Sequence, residues 1–212
     1  MYPKDKTIPA EYLDAFKEIG NIGAGHAATA LSQMIQLTVD LSIPKLIIFP
    51  LNSSSEFPMV NSQTVASLFF SMSGELNGTT LIFFPLNALS EFIQTFLKVS
   101  PENPQNLSEL QKSALQEIGN ILTGAYLRAL SNFLNIKILH SVSQLKFDME
   151  DALLESLITD LDYQESMGLL IESQLKIIQK SFNIKFYFIP NKDGLINLIN
   201  KLDAVLKKNG HN

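Results

Sequence analysis

The chain has 212 residues, of which 46% are hydrophobic, and this is enough to fill the core of one compact domain or of two fused halves. Its formal net charge is −5 at pH 7, and an acidic chain is a poor candidate for binding a nucleic-acid backbone. The sequence has no cysteine, which excludes disulfide scaffolds, thiol nucleophiles and zinc sites built from cysteine.

No segment of the sequence looks like an export signal or a membrane span. Residues 1–9 contain no apolar stretch of the kind that secretory signals have. Apolar runs such as residues 46–49 are far too short to cross a bilayer. These features predict a cytoplasmic protein without membrane insertion.

The first half of the chain predicts a helix, three strands and a second helix. The first helix begins near Pro9, because a proline suits the start of a helix and the apolar residues after it recur at helical spacing. The later elements are strands at residues 37–43, 64–72 and 79–84 and a helix at residues 88–97.

The second half follows the same course, after a proline-containing hinge at residues 100–104. A helix comes first, followed by strands at residues 136–142, 168–178 and 185–189 and a helix at residues 195–206. An additional helical segment at residues 148–160 has no obvious counterpart in the first half.

This parallel reflects an internal repeat with a constant offset. The segment Glu-Ile-Gly-Asn-Ile occupies residues 18–22 and again residues 117–121, which is an offset of 99, and the match extends through Gly25 and Gly124. Such a repeat predicts an α/β fold made of two duplicated α-β-β-β(-α) halves related by a pseudo-two-fold axis. The halves share one sheet, and their two long equivalent helices lie on one face.

We therefore expect one domain over residues 1–212, built from repeats at about 8–99 and 106–208.

Each repeated helix has an apolar face and a polar face. At 100° per residue, apolar and small residues form a stripe that we expect to face the core: Tyr12, Phe16, Ile19, Gly23, Ala27, Ala30 and Met34, and in the second copy Leu115, Ile118, Leu122, Tyr126, Ala129 and Phe133. The opposite face carries an acid, an amide one turn later and a glycine one turn after that. These residues are Glu18, Asn21 and Gly25, preceded by Asp14, and in the second copy Glu117, Asn120 and Gly124, preceded by Ser113.

A single Glu-x-x-Asn on a helix has little diagnostic value, because exposed helix faces are usually only solvated surface. Here the pair is kept in both copies together with a glycine, although glycine inside a helix costs about 1 kcal/mol relative to alanine. The missing side chains at Gly25 and Gly124 would let another molecule approach closely. The repetition therefore predicts a functional site on each helix.

At these residues the chain resembles the CheC/CheX/FliY family of chemotaxis phosphatases. The family pattern is Asp or Ser, three residues, Glu, two residues, Asn, twenty-two residues, and Pro. The first copy fits from Asp14 to Pro44. The second copy fits from Ser113 to Asn120 but has Ser143 in place of the proline. Two sites in one chain resemble the CheC members of the family more than CheX.

The resemblance implies hydrolysis of the aspartyl-phosphate on a CheY-like response-regulator receiver. Asn21 and Asn120 would orient the attacking water, Glu18 and Glu117 would pair with a receiver lysine, and Pro44 would shape the first site. Phosphoryl transfer depends on positioning and charge stabilisation, which an amide and a nearby carboxylate can provide. The sequence has no evident carboxylate cluster, so no metal site is predicted, and Mg²⁺ is expected to come with the receiver.

The principal alternative is a non-catalytic module that binds a receiver or the deamidase CheD in the chemotaxis or flagellar switch apparatus. The switch protein FliM has a related domain that lacks the Glu–Asn pairs. CheD is also a candidate second partner of a phosphatase, and no motif in the sequence decides this.

Two other kinds of site are disfavoured. The glycines at residues 23–25 superficially fit a dinucleotide-binding fingerprint, but that motif must follow a strand, and the residues before it are patterned as a helix. His26, His140 and His211 have no spacing that suggests catalysis or metal binding.

Overall fold

The computed structural model describes residues 9–51, 63–159 and 167–209, and within these ranges the chain forms five helices and seven strands. In chain order they are α1 (Ala10–Ile35), β1 (Val39–Pro50), β2 (Thr64–Gly74), β3 (Gly78–Pro85), α2 (Leu86–Leu97), α3 (Glu109–Leu134), β4 (Ile138–His140), β5 (Gln144–Met149), α4 (Glu150–Ile158), β6 (Met167–Ile177), β7 (Lys180–Pro190) and α5 (Lys192–Asn209).

The strands form one antiparallel sheet in the order β1-β6-β7-β3-β2, and β4 and β5 both pair with the outer edge of β2. At its centre β3 pairs with β7, with Leu81 opposite Tyr187 and Ile82 opposite Phe186. A two-fold axis through this central pair exchanges β3 with β7, β2 with β6, and the β1 edge with the β4–β5 edge. The predicted pseudo-two-fold fold with one shared sheet is confirmed.

The two repeated helices match in length and in the way they end. α1 and α3 each have 26 residues and pack against each other. In α3, the Ser108 hydroxyl accepts a hydrogen bond from the Gln111 amide while the Gln111 side chain accepts one from the Ser108 amide, which is a capping box. Both helices end at a left-handed residue, Gln36 with φ 55° and Asn135 with φ 52°. These two residues are also 99 positions apart, so the repeat spans the whole of each helix.

Both faces of the sheet are covered by helices. The larger core lies on the face that packs against α1, α2, α3 and α5, where Ile82 and Phe186 are buried. A second core lies on the other face, where Leu81 and Tyr187 pack with Leu154 of α4. Because α1 and α3 bury one stripe in the larger core, their opposite faces are left to solvent, and the predicted sites lie there.

The core stripes are largely as predicted, with one exception in the last turns of α1. Met34 is 41% exposed, so its predicted core position is wrong. Leu31 is fully buried and Ile35 packs against the core, both at steps of four residues from Ala27. The buried stripe therefore turns away from Ala30 and Met34 toward the end of the helix.

The largest differences from the predicted strands are at β1 and β5. β1 continues to Pro50, because a bulge between Ser42 and Lys45 on this edge strand accommodates Pro44, which has no N–H to donate. β5 was not predicted, although it alternates exposed and half-buried residues.

The additional helix, α4, is shorter than predicted. Its predicted end at residue 160 and the predicted repeat boundary at residue 8 lie outside the described residues. Within the described ranges, no helix has the length and apolar character required to cross a bilayer.

Candidate active site

The first Glu–Asn pair lies on an open helix face. Asp14, Glu18, Asn21 and Gly25 are all exposed on α1. A methyl group built on Gly25 would meet no atom within 4 Å, so nothing in the described chain covers this face. Asp14 is held by Lys17 one turn later, with 3.6 Å between the carboxylate and the ammonium. The first copy is therefore a convex surface that a large partner can approach directly.

Glycines on the buried side of the same helices allow close packing beneath the sites. A methyl group on Gly20 would lie 2.9 Å from Ile43 of β1, and one on Gly119 would lie 2.3 Å from Leu68 of β2. Glycine lets these side chains pack directly against the helix backbone, and a larger residue would force Ile43 or Leu68 to move. The helices are thus held close to the sheet while Glu and Asn project from the other side.

The second pair is less open than the first. Ser113 and Glu117 are exposed on α3, whereas Asn120 and Gly124 are half-buried. The Oδ1 atom of Asn120 is buried and has no hydrogen-bond partner among the described residues. The sequence predicts two equally outward amides, and the structure differs at Asn120 because the second helix face is partly walled.

The amide of Asn120 has its acceptor on the covered side. An asparagine presents an oxygen that accepts hydrogen bonds and a nitrogen that donates them, and a half-turn of the terminal amide exchanges their positions. A buried polar atom without a partner costs roughly 1–3 kcal/mol, whether it is the oxygen or the nitrogen. A half-turn would exchange the two atoms and turn Oδ1 away from the covered side.

Asn120 borders a cleft of about 510 Å³. Its walls are the polar face of α3, the flank of α1, and the chain where β4 ends. The lining residues are His26, Ala30, Glu117, Asn120, Ile121, Gly124, Ala125, Arg128, His140, Ser141 and Val142. Asn120 therefore lies in a cleft with mixed polar and apolar walls, in contrast to Asn21 on its open surface.

The outer wall of the cleft is held by hydrogen bonds to neighbouring elements. The Ser141 hydroxyl accepts a hydrogen bond from the Ser71 amide at 3.1 Å, and the Ser141 amide donates to the Ser71 carbonyl at 2.9 Å. The His140 ring stands edge-on to Phe70, with 5.7 Å between ring centroids. Its Nε2 lies 3.6 Å from where a Cβ of Gly124 would be. The imidazole therefore stands beside the gap that Gly124 leaves.

The position at which the family pattern has a proline lies at an irregularity of an edge strand in both copies. Pro44 lies in the bulge of β1, and its neighbour Ile43 lies beneath Gly20. Pro44 itself lines a separate cleft and does not line the one that contains Asn120. In the second copy the buried residue Ser143 lies between β4 and β5, and its carbonyl accepts a hydrogen bond from Gln116 Nε2 at 3.1 Å. A serine thus occupies an equivalent break in the strand.

The three basic residues of the cleft were not predicted as site residues from the sequence. His26 and His140 belong to different elements, and the packing of α1 against α3 brings them to one cleft. No spacing in the sequence indicates such a meeting. Arg128 does have a sequence signal, because it follows Gly124 by four residues and so extends the same helix stripe.

The two acids are available to a partner. Neither Glu18 nor Glu117 forms a salt bridge or side-chain hydrogen bond with the described part of the chain. The described residues also contain no group of three or more His, Asp or Glu side chains placed to hold a metal ion. Each site therefore consists of a free carboxylate one turn from an amide.

The CheC-like family matches the chain in two segments, residues 11–48 and 110–142. These segments contain α1 with the first Glu–Asn pair and α3 with the second. Both repeated helices are thus similar to the CheC-like family. The chain is 28% identical over 203 residues to the CheY-P phosphatase CheC of Bacillus subtilis, and the match covers 94% of this chain and 97% of that protein.

Solved structures share the CheC-like fold at lower identity. The crystal structure of Thermotoga maritima FliY matches with a TM-score of 0.70 at 20% identity, covering 94% of this chain and 99% of that one. The FliM middle domain from H. pylori matches with a TM-score of 0.64 at 11% identity, covering 92% and 99%. These similarities show that the chain shares its fold with these proteins.

Proposed function

We propose that the chain hydrolyses the aspartyl-phosphate of a CheY-like receiver protein. The observation that carries this proposal is the placement of the two Glu–Asn pairs on the solvent side of two equivalent helices. The first face is exposed, and Gly25 leaves open space above its pair, while the second pair borders a cleft. The similarity to CheC, whose name describes a CheY-P phosphatase, supports the same reaction here.

The amide positions the water. The water oxygen attacks phosphorus in line with the bond to the receiver's aspartate, so that bond breaks and inorganic phosphate leaves. Asn21 Oδ1 accepts one O–H of the water and turns the oxygen lone pair toward phosphorus. An amide is better suited to this position than a carboxylate, because a carboxylate beside the phosphoryl oxygens would repel them. Asn120 performs the same role after its amide has turned toward the cleft.

The carboxylate docks the receiver. Glu18 and Glu117 lie one helical turn before their amides and are without a described partner, so each can accept a lysine ammonium from the receiver. This pairing fixes the phosphoryl group over the amide. Mg²⁺ bound by the receiver's own residues would neutralise charge on the phosphoryl oxygens.

The rival function is that of a binding module without catalysis. The FliM middle domains share the fold, so the architecture alone is compatible with this role. The retention of the amide in both copies favours catalysis, since docking needs only the carboxylates. CheD remains a candidate second partner on the family resemblance alone.

The decay of phosphorylated CheY separates the two functions. Adding the protein to purified phosphorylated receiver should accelerate loss of the phosphoryl group in proportion to protein concentration. Replacing both acids, Glu18→Gln with Glu117→Gln, should weaken receiver binding in the same preparation. An unchanged or slower decay in the presence of the protein would contradict catalysis and favour the binding module.

A further inference from the structure

Basic side chains gather at the second site of this acidic protein. The only arginine in the sequence, Arg128, and two of its three histidines, His26 and His140, line the cleft that contains Asn120. The same cleft contains one acidic residue, Glu117. In a chain of net charge −5, this concentration of cationic and hydrogen-bonding groups suits an oxyanion.

The first site has no such groups at the equivalent positions. At the offset of 99, Thr29 corresponds to Arg128 and Leu41 corresponds to His140. The Thr29 hydroxyl donates to the Gly25 carbonyl of its own helix at 2.9 Å, so it is occupied within α1. The two copies therefore keep the same Glu–Asn pair but differ in what surrounds it.

Arg128 is placed to reach the space beside Asn120. It lies two turns after Asn120 on the same face, with Gly124 midway between them. Side chains on a helix lean toward its N-terminus, which directs Arg128 back toward Gly124 and the neighbouring His140 imidazole. Arg128 is exposed and forms no ion pair with the described residues.

We propose that Arg128 binds an oxyanion of the docked receiver and is a specificity-determining residue of the second site alone. This inference rests on the phosphatase function proposed above. A guanidinium presents its donors as a planar fork that fits two oxygens of a phosphoryl group or of a carboxylate. A phosphorylated receiver offers both kinds of oxyanion, and Arg128 gives the second site a contact that the first site lacks.

The test isolates the second site by using Asn21→Ala as the parent protein. In this background, Arg128→Ala lowers kcat/KM for phosphorylated CheY by about tenfold or more, as expected for loss of a charge-assisted hydrogen bond. Arg128→Lys recovers part of the lost kcat/KM, because lysine restores the positive charge but not the planar pair of guanidinium donors. The matched control is Lys207→Ala, which removes an exposed cation of α5 and leaves kcat/KM unchanged. Equal melting temperatures establish that all variants are folded.

Direct binding identifies the oxyanion. The affinity of each variant is measured for CheY alone and for CheY carrying beryllofluoride, a mimic of the phosphoryl group. If Arg128 binds the phosphoryl oxygens, Arg128→Ala weakens only the binding of the beryllofluoride form. If it binds a receiver carboxylate, both forms are weakened to the same degree.

Failure of this inference is distinguishable from failure of the proposed function. If the Asn21→Ala parent hydrolyses the receiver and Arg128→Ala matches it in both affinity and kcat/KM, Arg128 has no such role and the phosphatase function stands. If the parent and the wild-type protein neither bind nor hydrolyse the phosphorylated receiver, the proposed function and the role of Arg128 are both overturned.

Discussion

Gly23 of α1 lies directly against Tyr126 of α3. A methyl group on Gly23 would come within 2.6 Å of Tyr126 Cδ1 and 3.1 Å of its Cα, so the two helices cross at backbone contact distance. Tyr126 is buried, and its hydroxyl forms a 3.0 Å hydrogen bond with Ser173 of β6. This crossing fixes the angle between α1 and α3, and with it the relative orientation of the two Glu–Asn faces.

Replacing Gly23 by alanine should therefore destabilise the protein. The methyl would overlap a ring and a backbone atom, and overpacking of this kind costs about 1–3 kcal/mol, which exceeds the gain in helix propensity of about 1 kcal/mol at most. The free energy of unfolding from urea titration measures the effect. The matched control is Gly25→Ala in the same helix, where the methyl enters open space. That variant should be stabilised by about 0.5–1 kcal/mol. The same sign of change in both variants would contradict the close crossing.

Tyr126 should make stability depend on alkaline pH. Burial raises the pKa of Tyr126 to about 12, while the Ser173 hydrogen bond acts in the opposite direction. In the unfolded chain a tyrosine ionises near pH 10, so the contribution of Tyr126 to stability is complete below about pH 10 and is lost as pH rises toward 12. At pH 8, Tyr126→Phe should be less stable by about 1 kcal/mol because the Ser173 hydroxyl loses its partner. The difference between wild type and variant, followed by denaturant unfolding, should narrow above pH 10. A difference that stays constant up to pH 12 would show that the hydroxyl is not buried as described.

A buried carboxylate should anchor α4 to the sheet. Glu150 is fully buried, and its Oε1 accepts hydrogen bonds from Lys185 at 2.6 Å and from Tyr187 at 3.0 Å. Glu150→Ala should lower the free energy of unfolding by about 3–5 kcal/mol, because it removes the fully buried carboxylate to which the half-buried Lys185 and the Tyr187 hydroxyl donate. The control is Glu91→Ala, which breaks a 3.1 Å pair with Lys180 between side chains that are about half exposed. An exposed pair of this kind contributes at most about 1 kcal/mol. Equal losses in the two variants would argue against the buried pair.

The hairpin between β6 and β7 contains a strained residue. Ile178 has φ 58° and is 71% exposed, although a β-branched residue is disfavoured in this left-handed region. Ile178→Gly should raise the melting temperature, because glycine adopts this conformation without a steric penalty and little buried surface is lost. Thermal unfolding followed by circular dichroism tests this. Gln179→Gly, at the neighbouring turn position without a positive φ, should have no stabilising effect. A lower melting temperature for Ile178→Gly would mean that the isoleucine side chain contributes packing that outweighs the strain.

The internal repeat makes the two equivalent helices and their outward faces predictable from the sequence. The constant offset places Glu18 and Glu117 on corresponding faces, and helical periodicity places those faces away from the core. The same periodicity fails at Met34, because the buried stripe continues through Leu31 and Ile35 at the end of α1. It also gives no warning that Pro44 lies inside a strand, since only the bulge on an edge strand makes that possible.

The residues that surround the second site could not be predicted from the sequence of α1 or of α3 alone. Asn120 is half-buried because the chain after β4 forms a wall beside α3, and this depends on the pairing of Ser141 with Ser71 across two strands. The position of His26 in the same cleft depends on the crossing of α1 over α3 at Gly23. These contacts join segments far apart in the sequence, and a pattern within one helix contains no information about them.

If each Glu–Asn pair is a separate hydrolytic site, the decay rate of phosphorylated CheY will differ in a defined way among four proteins. Asn21→Ala and Asn120→Ala should each retain part of the wild-type kcat/KM, and the two retained values should add up to about that of wild type, as expected for independent sites. The double variant should lose all acceleration while keeping the wild-type melting temperature. Full hydrolysis by the folded double variant would contradict the account.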